Sequence, residues 1–283
     1  MVRPPFLILL SGGLLAALLA SCMHPSPPTL TPIAKPATWG ALQALPVPAA
    51  DRVESYGTAP QQTVEIRLPY SAGKHPVVLL LHGGCWQNRF DRAYFGHLAA
   101  ALRAQGWATF NVEYRRLGDP GGGWPGTFDD ITAATRFVLA RAGEWQLDDR
   151  HVVVVGHSAG GHLALLLATH EPRITAAVGL AAITDLAAYQ KEGSSCGDSA
   201  VQFVSPAALP SADPMQQPLP SQARIFLWSG SADRIVPASY GTRYAARSSS
   251  IAHTVWPGAG HFDLVSPASV LWPEILRQFS RLR

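Results

Sequence analysis

The turn at residues 156–161 constrains the fold of this chain more than any other feature. Its sequence is Gly-His-Ser-Ala-Gly-Gly. Four valines at residues 152–155 precede it as a buried strand would, and the apolar run at residues 163–168 is rich in helix formers. A strand that enters a helix through Gly-x-Ser-x-Gly places the serine on a tight turn whose neighbours must be small. The pattern predicts a nucleophile elbow with Ser158 at its apex.

Strand and helix patterns alternate from residue 63 to the C-terminus. Residues 63–68 alternate in polarity, as a half-buried edge strand would. Further strands are predicted at residues 76–81, 107–112, 151–155, 174–182, 225–228 and 253–256, and helices at 92–105, 129–142 and 271–282. Repeated β-α units predict an α/β protein with a mostly parallel central sheet and helices on both faces.

An acid and a histidine should follow the elbow, because a serine hydroxyl attacks a carbonyl only when a base takes its proton. Asp233 directly follows a predicted strand and is the candidate acid, with a turn or helix-capping role as the alternative. His261, in Gly-Ala-Gly-His-Phe, is the candidate base. His253 precedes a strand and is interpreted as structural.

A second glycine pair follows the strand at residues 76–81, in His-Gly-Gly-Cys-Trp. Paired glycines allow backbone N–H groups to point into a site, as an oxyanion hole requires. The predicted donors are the N–H groups of Gly84, Cys85 and Ala159. His82 is expected to stabilise this loop. Three further residues are predicted to contact the substrate: Gly83, Trp86 and His157.

These segments together resemble the α/β-hydrolase superfamily over residues 60–282. Within it they are similar to the His-Gly-Gly-x-Trp group, which contains carboxylesterases, feruloyl and acetylxylan-type esterases and kynurenine formamidase. The resemblance implies an α/β-hydrolase fold and a serine hydrolase that cleaves small esters through an acyl-enzyme. Ser158, His261 and Asp233 match the triad of this group. Cys85 departs from the pattern, since relatives often have glycine or an aromatic residue there.

Other readings of the chain remain open. An amide hydrolase, either arylformamidase-like or a peptidase, is one alternative, and a non-catalytic binding protein with a hydrolase fold is another. A net charge of +3 with scattered arginines argues against nucleic-acid binding. The glycines at residues 121–126 follow a polar loop instead of a strand, which favours a rim loop over a dinucleotide site. We expect no metal and no cofactor, because the metal-binding spacings are missing.

The N-terminus is typical of an exported lipoprotein. An apolar stretch at residues 6–20 follows Arg3 and ends in Leu-Ala-Ser-Cys, which predicts a signal peptide over residues 1–21 and a lipid on Cys22. An ordinary secretory signal or a retained anchor helix are the alternatives. Residues 22–50, rich in proline, are predicted to tether the hydrolase domain of residues 51–283 to the membrane, with packing on the domain surface as the reading for residues 39–45. The chain is thus placed on the periplasmic or cell-surface side, at the outer membrane if the cell is Gram-negative.

Residues 184–221 interrupt the strand-helix alternation and are rich in Ser, Gly, Pro and Gln. This insertion is predicted to be a small cap over the site, with a plain surface loop as the alternative. It contains Cys196. An exported compartment permits a disulfide between Cys85 and Cys196, and two small buried side chains are the other reading.

Overall fold

The computed structural model describes residues 1–2, 33–192 and 195–283. The predicted signal peptide beyond residue 2, the predicted lipidation site Cys22 and residues 22–32 of the predicted tether lie outside the described residues. The chain divides into two units, residues 1–30 and residues 31–283, and all the described secondary structure lies in the second. Within the described ranges, no helix is both long and apolar enough to cross a bilayer.

An eight-stranded mixed sheet forms the centre of the described part of the larger unit. The strands are β1 (Arg52–Ser55), β2 (Thr63–Arg67), β3 (His75–Leu81), β4 (Ala108–Val112), β5 (Leu147–His157), β6 (Ala176–Leu180), β7 (Arg224–Gly230) and β8 (Ala252–Trp256). Their order in the sheet is β1-β2-β4-β3-β5-β6-β7-β8, with β1–β2 and β2–β4 antiparallel and the other pairs parallel. The mostly parallel sheet predicted from the sequence is confirmed.

Helices follow most of the parallel strands, and the longer ones cover the sheet. They are α1 (Trp39–Gln43), α2 (Gly96–Ala104), α3 (Gly126–Ala140), α4 (Ala159–His170), α5 (Leu186–Lys191), α6 (Ser199–Phe203), α7 (Leu209–Ala212), α8 (Ser239–Ala245) and α9 (Trp272–Ser280). The described residues also form two short 3₁₀ helices, at Ala93–Phe95 and Pro214–Gln216. The predicted insertion at residues 184–221 thus contains α5, α6 and α7.

The central strands are buried because helices cover both of their surfaces. Every residue of β3, β4 and β6 is buried, which matches their continuous apolar sequences. Strand β2 is not the edge strand that its polarity pattern predicted. Strand β1, which the sequence did not reveal, pairs with it and takes the edge. Since β1 is only four residues long and half exposed, it has no apolar run to mark it.

Residues 33–48, here called the N-terminal arm, lie against the rest of the larger unit. The N–H of Ile33 donates to the Pro257 carbonyl at 3.2 Å, and Arg67 donates to the Pro48 carbonyl at 2.7 Å. Leu42 is 1% exposed. The described part of the predicted tether is therefore held against the larger unit at several points, although most of its residues are exposed. Burial of the Leu42 side chain stabilises this contact.

Candidate active site

Ser158 lies on the turn between β5 and α4, where the sequence predicted an elbow. Its backbone φ of 57° and ψ of −120° are rare for a residue with a side chain. The neighbouring glycines allow this turn. A Cβ on Gly156 would lie 2.0 Å from the Gly160 carbonyl oxygen, and a Cβ on Gly160 would lie 2.0 Å from that of Leu81. Because neither position has a side chain, the backbones of α4 and of the loop after β3 can pack directly against the turn that carries Ser158.

Asp233 and His261 meet beside this turn. The Nδ1–H of His261 donates to Oδ2 of Asp233 at 2.7 Å, and both side chains are buried. The second carboxylate oxygen of Asp233 accepts the N–H groups of Ile235 at 2.8 Å and Val236 at 2.9 Å. These bonds fix the carboxylate, which in turn fixes the ring and leaves Nε2 of His261 for a hydroxyl. Ser158 and His261 line the same cavity.

The imidazole of His157 connects the elbow to the loop of His261. Its Nε2–H donates to the His261 carbonyl at 3.1 Å, so Nδ1 is the acceptor for the Tyr94 hydroxyl at 2.9 Å. The Tyr94 oxygen accepts the Gly83 N–H at 2.6 Å. Burial, with a smaller effect from His261, lowers the pKa of His157 well below its ordinary value, and the ring is neutral. One chain of hydrogen bonds thus joins the three loops around Ser158.

The glycine loop after β3 presents free N–H groups. Gly84 has φ 112° and Cys85 has φ 55°, so the backbone turns sharply there. The N–H groups of Gly84 and Cys85 meet no acceptor among the described residues. The N–H of Ala159 is one of the unpaired donors at the start of α4. The three predicted oxyanion donors can therefore bind an added ligand oxygen, whereas the N–H of Gly83 already donates to the Tyr94 hydroxyl.

His82 stabilises the glycine loop from below, as the sequence predicted. Its Nε2 bonds Oε1 of Glu113 at 2.9 Å, its Nδ1 bonds the Gly83 carbonyl at 2.7 Å, and its ring stacks on Tyr114 at 4.4 Å. Burial would raise the pKa of Glu113, but His82 and Arg116 outweigh it and lower that pKa. A charged carboxylate thus sits under the loop.

A cavity of about 260 Å³ opens onto Ser158 and His261. Its wall is largely aromatic and includes Trp39, Phe90 and Phe262. Arg89 is exposed at its rim. A cavity of this size suits a small acyl or alcohol group.

Of the three residues predicted to contact the substrate, one lines the cavity, although Gly83 also lies directly beside Ser158. Gly83 and Trp86 do not line the cavity, whereas His157 does. The indole of Trp86 is 1% exposed and stacks on Phe203 of the insertion at 4.8 Å. The positive φ of 55° at Trp86 turns its side chain into the core, which sequence patterns do not reveal.

Cys85 and Cys196 form a disulfide with a Cα–Cα distance of 5.4 Å. The bond joins the glycine loop to the segment between α5 and α6, so the reading as two separate buried side chains does not apply. Ser195, next to Cys196, lines the cavity. The insertion therefore reaches the site, although the sequence could not show which of its residues do so.

Sequence patterns assign no role at the site to Tyr94, Glu113 or Trp39, although all three shape it. Tyr94 lies in an amphipathic helical pattern, and Glu113 follows a buried strand without any accompanying motif. Only the position of Glu113 at a strand end, where catalytic loops of α/β sheets begin, could have pointed to it.

A family model described as BD-FAE matches residues 64–246. Esterase LipC of Mycobacterium tuberculosis is 27% identical over 244 residues, which cover 75% of this chain and 60% of LipC. This chain thus spans about 60% of the length of that relative.

Among the solved structures with a similar fold are an esterase and a bifunctional hydrolase. Thermogutta terrifontis esterase 2 phosphonylated by sarin gives a TM-score of 0.71 at 18% identity and covers 83% of this chain and 94% of its own. An acetyl ester-xyloside bifunctional hydrolase from Caldicellulosiruptor lactoaceticus gives 0.68 at 18% identity, with 82% and 95% covered. The predicted α/β-hydrolase fold is confirmed.

Proposed function

Since the chain belongs to the BD-FAE family and has the α/β-hydrolase fold, we propose that it is a serine hydrolase that cleaves small carboxylic esters. The observation on which this rests is the buried Asp233–His261 pair, whose histidine shares a cavity with the strained Ser158. The N–H groups of Gly84 and Cys85, which have no acceptor among the described residues, lie on the glycine loop that lines that cavity.

The geometry supports a two-step mechanism. The Ser158 hydroxyl attacks the ester carbonyl while Nε2 of His261 takes its proton, and Asp233 stabilises the imidazolium. The N–H groups of Gly84, Cys85 and Ala159 stabilise the oxyanion. His261 then protonates the leaving alcohol, and the C–O bond breaks to give the acyl-enzyme. A water molecule then attacks the acyl-enzyme in the same way, which releases the carboxylic acid and restores Ser158.

An ester with a short acyl chain is the substrate that fits the cavity best. The cavity measures about 260 Å³, at the small end for ligand sites. Thermogutta terrifontis esterase 2 has also been solved with propionate and with butyrate bound.

Labelling with a fluorophosphonate probe tests the reaction class. We expect the intact protein to be labelled and Ser158→Ala to lose both labelling and hydrolysis of p-nitrophenyl acetate. Ser195→Ala removes another serine of the same cavity and should keep the label. Absence of label on the intact protein would favour a non-catalytic binding role.

A substrate panel separates ester from amide chemistry. It consists of acetyl, butyryl and feruloyl esters and N-formyl compounds, measured as kcat/KM. We expect the acetyl and butyryl esters to be the best substrates. A preference for the N-formyl amide would instead assign the formamidase-like activity.

We further propose that the protein is exported and held at the membrane by a lipid on Cys22. The Leu-Ala-Ser-Cys sequence at residues 19–22 supports this, and a disulfide suits an oxidising compartment. Palmitate labelling in a bacterial host should mark the intact chain and not Cys22→Ser. Equal labelling of both would refute lipid attachment at Cys22.

A further inference from the structure

Trp39 of the N-terminal arm stands where three cavities meet. It lines the active-site cavity, a second cavity of about 210 Å³ beside Leu42 and Ala93, and a third of about 590 Å³ beside Arg234 and His261. We propose that Trp39 determines substrate specificity by closing the active-site cavity against the other two. The proposal rests on the esterase function proposed above and names the residue that limits substrate size.

Aromatic contacts hold the indole in this position. Its ring meets Phe90 at 5.6 Å and Tyr94 at 5.4 Å edge to face, and Phe262 at 5.6 Å with a tilt. Phe90 and Tyr94 follow the glycine loop in sequence, and Phe262 follows His261. The indole therefore bridges the two loops that flank the reacting carbonyl, and such ring pairs favour one geometry over others.

The arm is also anchored to the loop of His261. Oδ2 of Asp263 accepts the Gly260 N–H at 2.8 Å and the Ala37 N–H of the arm at 3.2 Å. A Cβ added to Gly260 would lie 2.7 Å from Cβ of Pro36, so the two chains are in close contact. One carboxylate thus fixes both the arm and the histidine loop, and Trp39 lies two residues beyond this anchor.

The region that matches the family model begins at residue 64, after the arm. Trp39 therefore adds a wall to the site from outside the matched region. A wall of this kind acts on substrate size and leaves the chemistry at Ser158 unchanged.

Removing the indole should open the active-site cavity into its neighbours. Burial of one methylene group of a substrate strengthens its binding about fourfold. Butyrate and octanoate esters differ by four methylenes, so even partial use of the new space should favour the longer ester in Trp39→Ala by at least about tenfold.

The experiment compares kcat/KM for p-nitrophenyl esters of two to ten carbons, and for acetates of alcohols of increasing length. Trp39→Ala should raise the ratio of kcat/KM for the octanoate ester to that for the butyrate ester, or the corresponding long-to-short ratio in the alcohol series. Trp39→Phe should give a ratio between those of the wild type and Trp39→Ala. Leu42→Ala is the matched control. It removes a buried side chain of the same helix that lines the second cavity and not the first, and should keep the wild-type ratios.

Unchanged size preference in both series would overturn the proposal. An equal shift in Leu42→Ala would also overturn it, since loosening of the arm would then suffice. If Trp39→Ala does not fold, the ratios of Trp39→Phe and Trp39→Leu decide the question. Failure of the esterase function itself is distinct, because then neither the intact protein nor any variant would hydrolyse the esters.

Discussion

Breaking the Cys85–Cys196 disulfide should destabilise the protein and slow its catalysis. The two cysteines are 111 residues apart in sequence, so the bond closes a long loop. The chain-entropy relation gives about 4.8 kcal/mol for a loop of this length, and the measured effect of native disulfides is about 2–5 kcal/mol. We expect the free energy of unfolding of Cys85→Ser/Cys196→Ser to fall within that range.

The catalytic effect follows from the position of Cys85 in the glycine loop, where its N–H is a proposed oxyanion donor. Without the bond, its N–H is held by the loop alone, although the Tyr94 hydroxyl still fixes the neighbouring Gly83. Complete loss of one oxyanion donor costs on the order of 10²–10³ in kcat. We therefore expect a smaller decrease in kcat.

Urea unfolding followed by tryptophan fluorescence measures the stability, and p-nitrophenyl acetate turnover measures kcat. Dithiothreitol should shift the wild-type curve toward that of the double variant and leave the double variant unchanged. Coincident unfolding curves for the oxidised, reduced and substituted proteins would refute the argument.

Three further predictions concern the surroundings of the site. Gly160→Ala should lower the free energy of unfolding by about 3 kcal/mol or more, because its Cβ would lie 2.0 Å from a backbone oxygen. Gly143→Ala, whose Cβ would meet no atom within 4 Å, should cause no such loss, and thermal unfolding compares the two variants. Tyr94→Phe should cost about 1–3 kcal/mol of stability, measured in urea, because it leaves the Gly83 N–H without a partner. Burial lowers the pKa of His162 to about 4 from an ordinary 6.5. The unfolded chain therefore binds a proton that the folded ring does not, and stability should fall by about 3 kcal/mol as the pH drops from 6.5 to 4. His162→Gln should reduce that slope in unfolding titrations, and an unchanged slope would contradict the assignment.

The elbow and the central strands were predictable because their signals are local. Four valines and three glycines suffice to place Ser158 between a strand and a helix. Strand β5 nevertheless begins at Leu147, earlier than its apolar run, because its first residues pair with His75 and Pro76 before a shift in register. The polar residues that bridge this irregularity obscure the pattern in the sequence.

The supports of the site were not predictable, because each depends on contacts between distant segments. Tyr94 bonds His157, which is 63 residues away, and His82 bonds Glu113. The direction of Trp86 depends on backbone angles that the sequence does not specify. Nothing in the proline-rich composition of the arm indicated that Trp39 would reach the cavity.

Three buried carboxylates explain how loops from separate strands hold one geometry. Glu113 accepts from His82 and from the Arg92 N–H, Asp233 accepts from His261 and two backbone N–H groups, and Asp263 accepts from Gly260, Ser269 and the arm. Burying a carboxylate is costly unless donors replace its water. Each of these groups therefore stabilises the fold only while all of its loops are in place. The proposed oxyanion donors, the histidine and the arm are thus positioned before a substrate arrives, which is the preorganisation that transition-state stabilisation requires.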